Sequence, residues 1–216
     1  MVLIDDMESG DGNLEGDAPG EIGAWFTFND TTGTQLPAEV GGKLLPTKLS
    51  PSVMQGGVSS TYAMHTTGTG FTGYGAGIGF NMNDSSSRNT FDASSYTGFL
   101  FYARVGPGTG STDAGAVQTS FRLNVPTKNT DAQGCVCDVG TCPSDPTSMC
   151  SNHYGKEVLG LTSSWQPVTV KFSSLQQQPG FGATTTWDPQ HVYGVNFQAA
   201  PGPQFDFWID DIYFTE

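Results

Sequence analysis

The segment Thr97-Gly98-Phe99-Leu100-Phe101-Tyr102-Ala103-Arg104-Val105 alternates in character along its length. Phe99, Phe101, Ala103 and Val105 fall on one side, and Leu100, Tyr102 and Arg104 on the other. That is the two-residue period of a half-buried strand, not the 3.6-residue period of a helix. The same pattern recurs outward in both directions. Phe121, Leu123 and Val125 alternate with Ser120, Arg122 and Asn124; Val195, Phe197 and Ala199 with Asn196 and Gln198; Ile78, Phe80 and Met82 with Gly79 and Asn81. Strands are predicted over Ala24–Phe28, Ser60–Thr66, Gly77–Met82, Thr97–Val105, Thr119–Val125, Gln166–Phe172, Val192–Ala199 and Gln204–Phe214. Turn clusters such as Asn83-Asp84-Ser85-Ser86-Ser87, Gly106-Pro107-Gly108 and Pro201-Gly202-Pro203 separate them. Helix is expected only as short turns, for example around Ser173–Gln177. Residues Thr31–Gln55 are expected to wrap the surface as loop with at most one short strand. This predicts one all-β domain over residues 1–216, a two-sheet antiparallel β-sandwich of jelly-roll type.

Composition agrees. With 29 Gly, 13 Pro and 13% charged residues in 216, the chain is too poor in helix formers for a helix bundle. Aromatics at 12% exclude a disordered chain. No apolar run approaches the roughly 18 residues of a membrane helix, so no membrane insertion is expected. Eight Lys and Arg against 21 Asp and Glu give a net charge of −13, a field that repels nucleic acid and anionic membranes. Calcium and neutral ligands such as sugars suit it; an acidic surface serving solubility is the plainer alternative.

All four cysteines, Cys135, Cys137, Cys142 and Cys150, fall in one loop-like segment. Cys135 and Cys137 are too close for an easy mutual bridge, which leaves 135–142 with 137–150, or 135–150 with 137–142. A zinc site with His153 nearby competes, but the C-x-C-x4-C-x7-C spacing matches no paired C-x2-C knuckle. Disulfides imply a secreted or cell-surface protein, extracellular or periplasmic. Strand-like residues from Val2 onward read as a mature segment or as a module cut from a longer precursor.

If the central strands share one sheet, its outer face carries Asn81, Tyr102, Arg104, Arg122, Asn124, Asn196 and Gln198. Guanidinium and amide groups pair with sugar hydroxyls, and a tyrosine ring covers the C–H face of a pyranose. Tyr102, Arg104, Arg122, Asn124, Asn196 and Gln198 are therefore the candidate ligand-binding residues. Trp25, Trp165 and Trp187 are weaker candidates, because large aromatics are usually core. The chain ends match in acidity, Ile4-Asp5-Asp6-Met7-Glu8 against Trp208-Ile209-Asp210-Asp211-Ile212. Asp6, Glu8, Asp210 and Asp211 are the candidate ligands of a structural calcium ion, since carboxylates inside apolar strands need a partner.

Four motifs in order resemble one family: Leu3-Ile4-Asp5-Asp6-Met7-Glu8; Phe91-Asp92-Ala93-Ser94-Ser95-Tyr96-Thr97-Gly98-Phe99-Leu100-Phe101-Tyr102-Ala103; Trp165-Gln166-Pro167-Val168-Thr169-Val170-Lys171-Phe172-Ser173-Ser174-Leu175; and Phe205-Asp206-Phe207-Trp208-Ile209-Asp210-Asp211-Ile212. They look like the family 11 carbohydrate-binding modules, galactose-binding-domain-like jelly rolls appended to bacterial secreted glycoside hydrolases. The resemblance implies structural calcium near joined termini and β-glucan or related neutral polysaccharide bound in a cleft on the concave sheet. It further implies a monomeric, non-catalytic module beside a catalytic domain in the same precursor. The cysteine loop departs from the basic pattern and resembles a variant in which such a loop precedes Asn152-His153-Tyr154-Gly155. Two alternatives stand beside this reading. One is a polysaccharide-cleaving lyase or hydrolase on a β-sandwich, although no G-x-S-x-G elbow or marked carboxylate pair is present. The other is a structural or adhesive surface domain.

Overall fold

A computed structural model describes residues 1–18, 20, 22–56, 58–85, 87–109, 115–137 and 149–216. Twelve strands are described: β1 (Val2–Asp5), β2 (Trp25–Asn29), β3 (Thr34–Leu36), β4 (Thr47–Gln55), β5 (Val58–Thr69), β6 (Ala76–Asn81), β7 (Gly98–Val105), β8 (Phe121–Val125), β9 (Tyr154–Val158), β10 (Gln166–Lys171), β11 (Gly194–Ala199) and β12 (Phe205–Thr215). One sheet has the order β2-β6-β11-β8-β9. The other runs β10-β7-β12-β5-β3, with β1 added beside β12 and β4 beside β5. The strand pairs are antiparallel. The chain is thus a two-sheet antiparallel β-sandwich of jelly-roll type, with a 3-10 turn at Phe172–Ser174 where a short helical turn was expected.

The alternating apolar sets meet between the sheets. Ile78, Phe80, Phe99, Phe101, Ala103, Phe121, Leu123, Val195, Phe197 and Phe207 are all buried. Aromatic edges and faces interlock across the layers: Phe101 of one sheet meets Phe197 of the other at 5.3 Å, and Phe207 meets Phe121 at 5.2 Å, both T-shaped. Such pairs contribute about 0.5–1.5 kcal/mol each beyond the area they bury.

The segment expected to be mainly loop, Thr31–Gln55, carries two strands, β3 and the nine-residue β4. Both lie at the periphery against β5 and are largely exposed, so core-facing alternation does not mark them. The edge strand β9, absent from the expected set, is read only through its pairing with β8.

Cys137 is bonded to Cys150, as in the first of the two predicted connectivities, and no described cysteine is free. Cys135 is also disulfide-bonded; Cys142 lies outside the described residues. No helix among the described residues is long and apolar enough to cross a membrane.

Candidate functional site

The expectation that the polar strand faces form one surface does not hold: β7 belongs to the seven-stranded sheet and β6, β8 and β11 to the other. Tyr102 and Arg104 therefore point out of the opposite side of the molecule from Arg122, Asn124, Asn196 and Gln198. Tyr102 lies beneath the β4–β5 turn, where a Cβ on Gly56 would stand 2.7 Å from its hydroxyl. The Arg104 guanidinium sits 5.1 Å from the Trp165 ring centre and 4.4 Å from that of Trp208, which in turn stacks on His65 at 3.9 Å. Trp165, Arg104, Trp208 and His65 thus form one row of stacked, partly exposed side chains on the seven-stranded sheet.

The outer face of the five-stranded sheet is organised as two cross-strand rows. Register places Phe28, Gly77, Gln198, Arg122 and Glu157 in one, and Phe26, Gly79, Asn196, Asn124 and Gly155 in the next. Each row begins with an aromatic ring and dips at a glycine; the first continues through Gln198 to the Arg122 and Glu157 pair, the second through the amides Asn196 and Asn124. The dip has a steric cause: a Cβ on Gly77 would stand 2.6 Å from the Phe28 ring, and one on Gly79 would stand 2.3 Å from Asn196 Oδ1.

Over these rows lies a cleft of about 570 Å³. Its apolar lining includes Phe28, Tyr74, Phe181 and Pro201; its polar lining includes Arg122, Asn124, Asn196, Gln198, Gln178, His153 and Glu157. Four of the six predicted ligand-binding residues are thus brought together. Tyr74 and Phe181 sit in loops and are each about half exposed. None of the three weaker tryptophan candidates lines the cleft. Trp25 is core, its Nε1 donating to Asp5 Oδ2 at 2.7 Å; Trp187 packs on Tyr154 and Phe172; Trp165 covers Arg104.

The polar floor is a hydrogen-bonded relay. Arg122 Nε donates to Asn124 Oδ1 at 2.9 Å, Asn124 Nδ2 to Gln198 Oε1 at 2.9 Å, and Gln198 Nε2 to the Tyr74 carbonyl at 2.7 Å. Arg122 Nη2 also donates to the Gln176 carbonyl at 2.5 Å, and Nη1 lies 3.5 Å from Glu157 Oε1. The relay fixes both amides and leaves each with a spare N–H. Asn196 Oδ1 is buried with no partner among the described residues. Burial pushes the His153 imidazole down to about 4, so it is neutral at pH 7, with Nδ1 2.9 Å from the Thr130 hydroxyl.

The predicted metal-binding carboxylates lie where β1 pairs with β12. They divide into two groups. Asp210 is fully buried; its Oδ2 accepts from Gln55 Nε2 at 2.6 Å and Ser60 Oγ at 2.7 Å. Burial, with the charge of Asp211, pushes it up to about 8, so it stands protonated at pH 7. Asp211, at φ 49° in a β-bulge, is raised to about 6 by burial and by repulsion from Asp6 and Glu8. Asp6, Glu8 and Asp211 therefore fit a divalent cation by charge. Glu8 Oε1 already accepts the Thr61 and Tyr62 amides at 2.7 and 2.9 Å, and no three described His, Cys, Asp or Glu side chains stand in metal-holding geometry.

No family profile and no curated protein matches the sequence. Solved structures share the fold. The family 11 carbohydrate-binding module of a cellulosomal cellulase of Clostridium thermocellum superposes with a TM-score of 0.56 at 16% identity, covering 99% of this chain and 92% of that one. The family 11 module from Clostridium thermocellum in complex with a β-1,3-1,4-mixed-linked tetrasaccharide gives 0.57 at 14% identity, covering 99% and 94%. A family 30 carbohydrate-binding module gives 0.52 at 16%, covering 88% and 80%. At these identities the likeness is one of fold.

Proposed function

We propose that the chain is a non-catalytic carbohydrate-binding module whose cleft, on the outer face of the five-stranded sheet, takes a neutral polysaccharide, a β-glucan. The observation that carries this reading is the cleft: three aromatic side chains around a floor of fixed amides, on the fold of carbohydrate-binding modules. Sugar rings present apolar C–H faces to aromatics and hydroxyls to amides, which is the pairing the lining supplies. Neutrality follows from charge: Arg122 is compensated by Glu157, and the chain's −13 repels anionic polymers. The mixed-linked ligand of the Clostridium thermocellum module supports the β-glucan class.

Glycoside hydrolysis needs two facing carboxyl groups, and Glu157 is the one acidic residue described in the lining. A lyase could draw on Tyr74, His153 and Arg122, which all line the cleft. Tyr74, however, donates its hydroxyl to the Asn29 carbonyl, and burial with the Asp30 charge raises its pKa, so it keeps its proton. The same proposal carries a secreted, monomeric module joined to a catalytic domain, and a structural calcium ion that would draw Asp6 and Glu8 toward Asp211. Calorimetric titration with mixed-linked β-glucan oligosaccharides, with product analysis, tests the function. Micromolar to millimolar binding without new reducing or unsaturated ends is expected; cleavage, or silence across a glycan panel, overturns it.

A further inference from the structure

Two adjoining segments of the wall of the cleft are Ser151–His153 and Gln178–Phe181. Asn152 joins them. Its side chain is buried, and its amide is spent on the second segment. Oδ1 accepts from the Gln178 amide at 2.8 Å, while Nδ2 donates to the Gln178 carbonyl at 3.0 Å and to the Phe181 carbonyl. Gln177 answers from the other direction. Its Nε2 donates to the Asn152 carbonyl at 2.6 Å and the Ala183 carbonyl at 3.0 Å, and its Oε1 accepts from the Thr185 amide at 2.8 Å. The Ala183 amide closes the set by donating to the Met149 carbonyl at 2.7 Å.

The backbone is shaped to permit this approach. Gly182 has φ +60°, and a Cβ there would stand 2.8 Å from the Met149 carbonyl oxygen and 2.9 Å from Asn152 Cβ. Cys150, bonded to Cys137, anchors the first segment two residues before Asn152. Without such ties a Pro179-Gly180-Phe181-Gly182 turn would sample many conformations, since glycine restricts the backbone least. A ring that must be ordered during binding holds its ligand less tightly than one already in place.

We propose that Asn152 is a positioning residue: it pre-orders the Gln178–Ala183 turn so that the Phe181 ring stands ready to cover the apolar face of a bound sugar. This rests on the reading of the cleft as a glycan site, and the sequence motif Asn152-His153-Tyr154-Gly155 thereby gains a role distinct from contact with the ligand.

The test uses the full oxidised chain with Asn152→Ala, Phe181→Ala and the double variant. Binding of a mixed-linked β-glucan oligosaccharide is measured by calorimetry, and amide hydrogen exchange at Gln178 and Ala183 is measured without ligand. Loss of the ring should weaken binding about tenfold, and Asn152→Ala about three- to tenfold. In the Phe181→Ala background, Asn152→Ala should change Kd by less than about twofold, because the two act through one contact. Exchange at both amides should accelerate in Asn152→Ala. Wild-type affinity in that variant, or effects that simply multiply in the double variant, overturns the proposal. If the wild type binds no glycan, the cleft reading fails, and unchanged exchange in Asn152→Ala would show separately that the clamp does not exist. Should Asn152→Ala not fold, Asn152→Asp keeps the acceptor of the Gln178 amide and removes both donors to the turn; the same binding criteria and faster exchange at Ala183, not at Gln178, then apply to it.

Discussion

Arg104 and Arg122 carry the same guanidinium into opposite surroundings. Arg104 lies against the Trp165 and Trp208 rings, where burial lowers its pKa, and its guanidinium is engaged by aromatic neighbours on the seven-stranded sheet. Arg122 is held edge-on by Asn124, Gln176 and Glu157 at the floor of the cleft. Arg104→Ala and Tyr102→Ala should therefore leave glucan affinity within about twofold of wild type, whereas Arg104→Ala should cost about 1–2 kcal/mol of stability through the lost cation–π contacts. Calorimetry and chemical denaturation check the two halves; weakened binding in either variant would return the site to the other sheet. Asp210 supplies a second residue-scale prediction. Its carboxyl titrates near 4 when unfolded and about 8 when folded, so between those values the folded state holds a proton that the unfolded state has lost. Stability then falls as pH rises through that window. Asp5, raised to about 7 by burial, adds the same sign; His153, lowered to about 4, opposes it between about 4 and 6.5. In calcium-free buffer the melting temperature should fall from about pH 5 to about pH 8, and Asp210→Asn should remove much of that fall. An unchanged slope in the variant would refute the buried, protonated state.

At the scale of elements, β6 shows what a strand contributes by omission. Gly77 and Gly79 leave the outer face of the strand bare, so that Phe28 can lean across it and Asn196 can approach from β11. Gly79→Ala puts a Cβ 2.3 Å from Asn196 Oδ1 and 2.7 Å from the Val195 carbonyl oxygen. The backbone oxygen cannot yield cheaply. The variant should lose about 1–3 kcal/mol of stability by overpacking and bind glucan more weakly, as urea unfolding and calorimetry would show. The alternation of Phe99, Phe101, Phe121, Phe197 and their neighbours made the core strands legible, because burial on one face imposes a period of two. It states which side chains face inward, not which sheet a strand joins. Tyr102 and Arg122 were equivalent on that criterion and separated only by strand pairing. Peripheral β3 and β4 and edge strand β9 lack the strong alternating apolar pattern that burial imposes, which is why the sequence leaves them obscure. Tyr74 and Phe181 stand outside any strand, yet each is flanked on both sides by glycine, a local sign of an aromatic displayed on a turn.

At the scale of the molecule, β1 closes against β12, so the acidic segments expected to meet do meet. The repulsion among Asp6, Glu8 and Asp211 is relieved if a calcium ion binds there, and an ion at a hundredfold excess over its Kd stabilises the fold by about 2.7 kcal/mol. Moving from calcium to chelator should lower the melting temperature by several degrees; identical melts with no metal by elemental analysis would dispose of the ion. The relay across the cleft floor bears on the polymer as a whole. Its successive donors run from Arg122 through Asn124 and Gln198 to the Tyr74 carbonyl, with a charged pair at one end and an aromatic turn at the other. A polysaccharide also has unlike ends. If the cleft takes a linear glycan as proposed, the two orientations in which a strand can lie in the groove are inequivalent, and the glycan would be read with a sense of direction, its reducing end assigned to one end of the cleft.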